Sequence, residues 1–171
     1  MRNLRWIIVL AAALLVAARY LPDIDWPGGS SHDVGGTARV LRVVDGDTIL
    51  VARGGGTDRV RYIGIDTPET VKPGTPVQCF GHRAGAENRA LVAGREVRLV
   101  VGSEPRDRYG RLLAYVYRRD DGTFVNEALV RGGYARTMTI PPNDRYAARF
   151  GALQSAARQA RRGLWGACGG R

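Results

Sequence analysis

Three carboxylates and two guanidiniums carry the chemistry this chain can offer. Asp47 and Asp66 lie nineteen positions apart, in the runs Asp45-Gly46-Asp47-Thr48 and Asp66-Thr67-Pro68-Glu69-Thr70. Together they present hard oxygen ligands, suited to Ca²⁺ or Mg²⁺ and poorly suited to zinc. Two protein carboxylates also leave room at a cation for water and a phosphate oxygen. Glu69 stands three residues past Asp66, on a segment stiffened by Pro68, where it could orient or deprotonate a water beside the metal. Arg61 sits among apolar residues of a strand-like run, and a guanidinium there requires an anionic partner, either a phosphate or a structural carboxylate. Arg111 follows the tight turn Asp107-Arg108-Tyr109-Gly110 and offers a second fork of donors. Two planar guanidiniums on one phosphate would stabilise the extra charge of a pentacoordinate transition state. Other chemistries find no support. The chain has no serine or cysteine nucleophile pattern, no zinc spacing and no phosphate-cradling glycine loop, and neither His32 nor His82 is placed as a base. Taken singly, each acid also suits an ordinary turn or capping role. Only their gathering would make a site.

The elements between them predict that gathering. Ile49 to Arg53 and Arg59 to Ile65 read as the strands of a hairpin, joined by the turn Gly54-Gly55-Gly56-Thr57-Asp58. Pairing Arg53 with Arg59 puts Asp47 opposite Ile65, with Asp66 one step beyond. It also places Arg61 on one strand face with Arg59, Ile63 and Ile65. Further strands are expected over Ala38 to Val44, Glu96 to Val101 and Leu112 to Arg118. Pro68 to Phe80 reads as a long irregular loop. Helices are expected over His82 to Ala93, over Val125 to Arg131, and after Pro141-Pro142, where Asn143 or Asp144 can cap. The last helix shows a buried stripe at Tyr146, Phe150, Leu153, Ala157 and Ala160. Five strands with late helices predict an α+β fold, a five-stranded antiparallel barrel of the oligonucleotide-binding (OB) type with three helices.

At 171 residues the chain suits one domain, expected over residues 36–171. Arg2 and Arg5 precede thirteen apolar residues, Trp6 to Ala18, short of the roughly 20 a membrane span needs. Residues 1–18 therefore read as a signal peptide, with an uncleaved N-terminal anchor as the alternative, and residues 19–35 as a linker. Either way the folded part is expected outside the cytoplasm, secreted or in the cell envelope. The formal charge of +10 attracts polyanions, although 25 of the 26 basic residues are arginine, a bias that a GC-rich genome also produces. Two cysteines in an exported chain predict a Cys79–Cys168 disulfide, worth about 3–5 kcal/mol.

Several motifs resemble the staphylococcal-type thermonucleases. They are Asp45-Gly46-Asp47-Thr48, the run Arg61-Tyr62-Ile63-Gly64-Ile65-Asp66-Thr67-Pro68-Glu69-Thr70, Asp107-Arg108-Tyr109-Gly110-Arg111, and Val125-Asn126-Glu127-Ala128-Leu129-Val130. The resemblance runs over about residues 37 to 166, in family order. It implies a nuclease that depends on one Ca²⁺ ion, hydrolysing DNA and RNA to leave 3′-phosphate ends, and working as a monomer without an obligate protein partner. It implies Asp47, Asp66 and the Thr67 carbonyl as metal ligands, Arg61, Glu69 and Arg111 as the catalytic trio, and Tyr109 and Lys72 as substrate contacts. The chain departs from the family where its best-known member has two tyrosines near the bound nucleotide, reading Thr137-Met138-Thr139-Ile140-Pro141 instead. The competing reading is a non-catalytic OB barrel that binds nucleic acid or peptide. Such a module is expected to have lost at least one of Asp47, Arg61, Asp66, Glu69 and Arg111, and all five are present.

Overall fold

The runs rich in β-branched residues form strands, as their shape on a pleated surface favours. The computed structural model describes residues 35–70, 74 and 76–169, so the expected leader, nearly all of the linker and Lys72 lie outside the described residues. Strands β1 (Thr37–Val43), β2 (Thr48–Arg53), β3 (Gly56–Tyr62), β5 (Glu96–Arg106) and β6 (Leu112–Arg118) close a barrel in the order β1-β2-β3-β6-β5. Neighbours are antiparallel except β3 and β6, which run parallel. Two short strands, β4 (Gly64–Asp66) and β7 (Arg136–Met138), form a second small sheet. Four helices accompany them among the described residues: α1 (Gly81–Val92), α2 (Val125–Arg131), α3 (Ala147–Gln159) and the single turn α4 (Leu164–Ala167). The α+β, OB-type barrel is the one the sequence predicts, except that the β3–β6 pair is parallel and a small sheet and a short helix are added.

Inside the barrel, Val40, Ile49, Val51, Val60, Tyr62, Val97, Leu99, Ala114 and Val116 are buried, alternating with outward residues along each strand. Helix α2 covers the barrel with Val125, Leu129 and Val130. Its Asn126 accepts from the Val116 amide at 2.9 Å and donates to the Ile63 carbonyl at 2.9 Å, tying helix to barrel where β3 ends. Phe150 of α3 joins Phe124 and Tyr146 in an aromatic cluster.

Four local expectations are corrected. The hairpin turn is the two residues Gly54-Gly55, both at positive φ (57° and 81°), the glycine-friendly geometry of a tight hairpin. Arg53 therefore pairs with Gly56 rather than Arg59, and Thr48 with Arg61. Asp47 consequently faces Tyr62, whose amide donates to the Asp47 carbonyl at 2.9 Å, and not Ile65. The shared face also ends early, because Arg61 is buried, Arg59 is exposed, and the strand breaks before Ile65. Neither Asn143 nor Asp144 caps α3 by its side chain: the helix starts after Tyr146 with no side-chain cap, and Asn143 instead clamps the Glu104 amide and carbonyl. Strand β5 runs on to Arg106 past an irregularity after Val101.

The break after β3 is what re-aims the acidic run. Gly64 takes φ 79°, turning the chain out of the barrel so that β4 pairs with β7 and Asp66 lies across from Arg136. A β-carbon at Gly64 would stand 2.8 Å from the Phe150 ring. Strain and clash thus coincide at this position. The Gly64→Ala variant is expected to lose about 2–4 kcal/mol of stability in urea unfolding. A loss under 0.5 kcal/mol would show that the turn tolerates a side chain.

Candidate active site

The two acidic runs meet at Gly46. A β-carbon there would lie 2.6 Å from the Thr67 hydroxyl oxygen, so only glycine lets the second run lie against the first. The first run is a tight turn in which the Asp45 carboxylate accepts the Asp47 amide at 3.0 Å. Asp47 is buried and satisfied on both oxygens. Its Oδ2 accepts from the Thr67 amide at 2.8 Å and the Thr67 hydroxyl at 3.0 Å. Its Oδ1 accepts from the Thr48 hydroxyl at 3.1 Å and faces Arg61 Nε at 3.2 Å.

Arg61 joins the runs. Its Nη2 donates to Asp66 Oδ1 at 2.9 Å, and its Nη1 donates to the carbonyls of Tyr62 at 2.8 Å and Ile65 at 2.7 Å. These hydrogen bonds use three of the five N–H donors of the guanidinium, while its Nε faces Asp47 as an ion pair. The Asp66 side chain is 52 % exposed, against 7 % for Asp47, so Asp66 is the carboxylate that opens to solvent. Burial, then the charge of Asp47, push the Asp66 carboxyl above the usual range despite Arg61. Burial and the Asp47 charge likewise push Asp45 up to about 6.

Glu69 follows on the irregular segment after Asp66. Its Oε1 accepts the Thr70 amide at 2.8 Å, and its negative charge adds to the upward push on Asp66. Arg111 comes from the far side of the parallel pair. Register aligns Arg61 with Leu113, and strand alternation carries the same face back to Arg111. Asp107 holds Arg111 by its amide at 3.0 Å and its Nε at 2.7 Å, leaving both Nη groups out of that pair. Burial works against the Asp107 carboxyl, but the hydrogen bonds from Arg111 outweigh it and keep it below the usual range. Tyr109, 68 % exposed, lies with its ring 5.5 Å from the Arg111 guanidinium carbon and 4.8 Å from that of Arg108.

Asp47, Arg61, Asp66 and Thr67 are thus bonded into one group, with Glu69 acting on it through charge. Arg111 and Tyr109 form a neighbouring group of their own around Asp107. Three supporting residues escaped the sequence reading. Asp107 carries a visible signal, an acid four residues before an arginine across a Gly turn. Asn88 carries one too: it sits four residues from both Ala84 and Val92, a polar residue on the buried stripe of α1. Fully buried, it accepts from the Tyr62 hydroxyl at 2.9 Å and donates to the Asp45 carbonyl at 2.9 Å, pinning the first acidic run. Gln78, which bonds the Glu69 backbone, carries no signal in a single sequence.

The donor chemistry suits a hard cation. Among the described residues no three acids, histidines or cysteines converge on one point, so the protein would supply two carboxylates and leave the other positions to water and substrate oxygen. Burial first, and then the neighbouring Asp47 charge, raise the Asp45 and Asp66 carboxyls.

The raised Asp45 carboxyl has a measurable consequence. Asp45 binds its proton more tightly folded than unfolded, so it costs the metal-free protein stability as pH rises from about 4 to 6. Asp45→Asn keeps an acceptor oxygen for the Asp47 amide and carries no charge. In chelator, its thermal midpoint is expected to gain on wild type across that window and hold the gain above it. Parallel curves would rule out the strain on Asp45.

Comparison with known proteins agrees with the geometry. The family described as staphylococcal nuclease homologue matches residues 59–167. The chain is 40% identical over 161 residues to the thermonuclease of Staphylococcus intermedius, covering 93% of this chain and 95% of that protein. It is 37% identical over 161 residues to the thermonuclease of Staphylococcus hyicus, covering 93% and 94%. With the SPbeta prophage-derived endonuclease YokF of Bacillus subtilis it shares 43% identity over 126 residues, 72% of this chain and 42% of that one. The chain therefore belongs to the staphylococcal nuclease homologue family, and it is a nuclease, a hydrolase of phosphodiester bonds.

Proposed function

We propose that this nuclease is an exported, calcium-dependent enzyme that hydrolyses DNA and RNA by metal-assisted attack of water, leaving 3′-phosphate ends. The observation that carries the reading is the Asp47–Arg61–Asp66 group, which brings two hard-ligand carboxylates to one guanidinium. Metal dependence is general in its family. The Asp47 and Asp66 carboxylates and the Thr67 carbonyl are the groups that would hold Ca²⁺. When bound, the ion supplies Lewis-acid charge to a phosphate oxygen and lowers the pKa of a water.

The chain's own groups do the rest. Glu69 orients the attacking water or takes its proton, in a site where no histidine stands ready. The Arg61 guanidinium and the two Nη groups of Arg111 stabilise the growing charge on the phosphate oxygens. Because a guanidinium hardly gives up a proton, both arginines act by charge and not as acids. Asp107 keeps Arg111 oriented so that little reorganisation is needed when charge develops. Tyr109 offers an exposed face to a base or sugar, and Lys72 a cation to the substrate backbone.

Charge distribution supports a polyanionic substrate. Between Arg131 and Arg171 stand eight arginines and one acid, Asp144, so seven of the ten net charges lie in the last quarter of the chain. The apolar leader and the Cys79–Cys168 bond support export to an oxidising compartment, where the chain works as a monomer.

Digestion of single-stranded DNA tests the proposal. Wild type is expected to cut with Ca²⁺ and stop in excess chelator. Arg61→Gln and Glu69→Gln are each expected to lose roughly 10²–10⁴ in kcat with the fold intact. Robust cutting in chelator would refute the metal mechanism.

A further inference from the structure

Glu69 lies outside any strand or helix among the described residues, after the end of β4. Something else must hold it. Gln78 does so twice: its amide donates to the Glu69 carbonyl at 2.9 Å, and its side-chain Oε1 accepts the Glu69 amide at 3.0 Å. The start of α1 presses from the other side, since a β-carbon at Gly81 would stand 2.6 Å from the Thr70 methyl and 3.0 Å from the Glu69 carbonyl oxygen. Both Gln78 bonds lie at the surface, where water competes for every partner and a lone pair of bonds holds a loop weakly. The next residue is Cys79, covalently joined to Cys168 across 89 residues. Cys168 directly follows α4, and the Leu164 amide of that helix donates to the Gly133 carbonyl at 2.9 Å, anchoring the far end of the cross-link in the folded body.

We propose that the Cys79–Cys168 disulfide is a positioning element for Glu69, acting through Gln78, so that the nuclease reaches full rate only when these thiols are oxidised. The cross-link fixes Cys79 in space, Gln78 is its immediate neighbour, and the two Gln78 bonds then set the Glu69 backbone. Reduction by a dithiol cleaves the S–S bond, places two electrons and two protons on the cysteine sulfurs and leaves the reductant as its own disulfide. The loop end is then released while the Asp47–Arg61–Asp66 group, bonded independently, stays in place. Cys79 is exposed, so a reductant can reach it. An enzyme built this way is slow in a reducing cytosol and fast once exported.

The inference rests on the proposed role of Glu69, and one set of measurements separates the two. Rates on single-stranded DNA are taken at saturating Ca²⁺, well below the thermal midpoint, with thiol counts and circular dichroism on every sample. Dithiothreitol-reduced wild type and Cys79→Ser/Cys168→Ser are expected to lose about tenfold or more in kcat, the scale of a small misplacement of a reacting group. The Ca²⁺ concentration for half-activation should move less than about twofold, since the cation groups are untouched. Gln78→Ala, with the disulfide intact, should lower kcat in the same way. In Glu69→Gln, reduction should cost nothing further, because the group it positions is already gone. A reduced, folded wild type with unchanged kcat overturns the inference. So does an equal loss on reduction in Glu69→Gln and wild type, the mark of a merely structural bond. If Glu69→Gln itself cuts at the wild-type rate, the role of Glu69 falls and the inference falls with it.

Discussion

A buried guanidinium cannot be left without partners, and the arrangement of this protein around Arg61 follows from that constraint. Taking a charge out of water costs several kcal/mol unless charge and hydrogen bonds replace the lost hydration. Arg61 recovers them from two carboxylates and two main-chain carbonyls that lie in separate stretches of sequence. To reach them the chain must turn out of the barrel after Tyr62, and Gly64 makes the turn. The second acidic run must then lie on the first, which Gly46 permits by having no side chain. Asn88 of α1 holds the first run from below through Asp45. Together these devices keep the two acidic runs against each other beside Arg61.

The same group is poised rather than balanced. One guanidinium faces Asp47 and Asp66 directly, and burial together with the neighbouring carboxylate charges raises the Asp45 and Asp66 carboxyls. A divalent cation bound there would offset those carboxylates, and a phosphate would then bring negative charge for Arg61 and Arg111 to receive. Stability and catalysis pull in opposite directions here, as they do wherever like charges are held together for later use.

Much of this could be read from the sequence, because it rests on short-range patterns. Alternation located β6, spacing located α2 to the residue, and the residue types at Asp47, Arg61, Asp66, Glu69 and Arg111 named the chemistry. Register was not legible. The run Gly54-Gly55-Gly56-Thr57-Asp58 allows a long turn or a tight one, and the choice moved the pairing by three residues. The acidic runs come together all the same, through the Gly64 turn and the Arg61 bridge rather than through the hairpin ladder. Asn143 looked like a helix cap because caps and loop clamps draw on the same side-chain chemistry. Its true partner, Glu104, lies 39 residues away, and no local pattern reveals a partner at that distance.

The account stands or falls on whether the Asp47–Arg61–Asp66 group is a cation site. Calorimetric titration of Ca²⁺ into wild type and Asp66→Asn, with no nucleic acid present, tests this most directly. One Ca²⁺ per chain is predicted for wild type, with affinity at least tenfold weaker in a folded Asp66→Asn protein. Equal affinity in the two proteins would place the cation elsewhere and contradict the account.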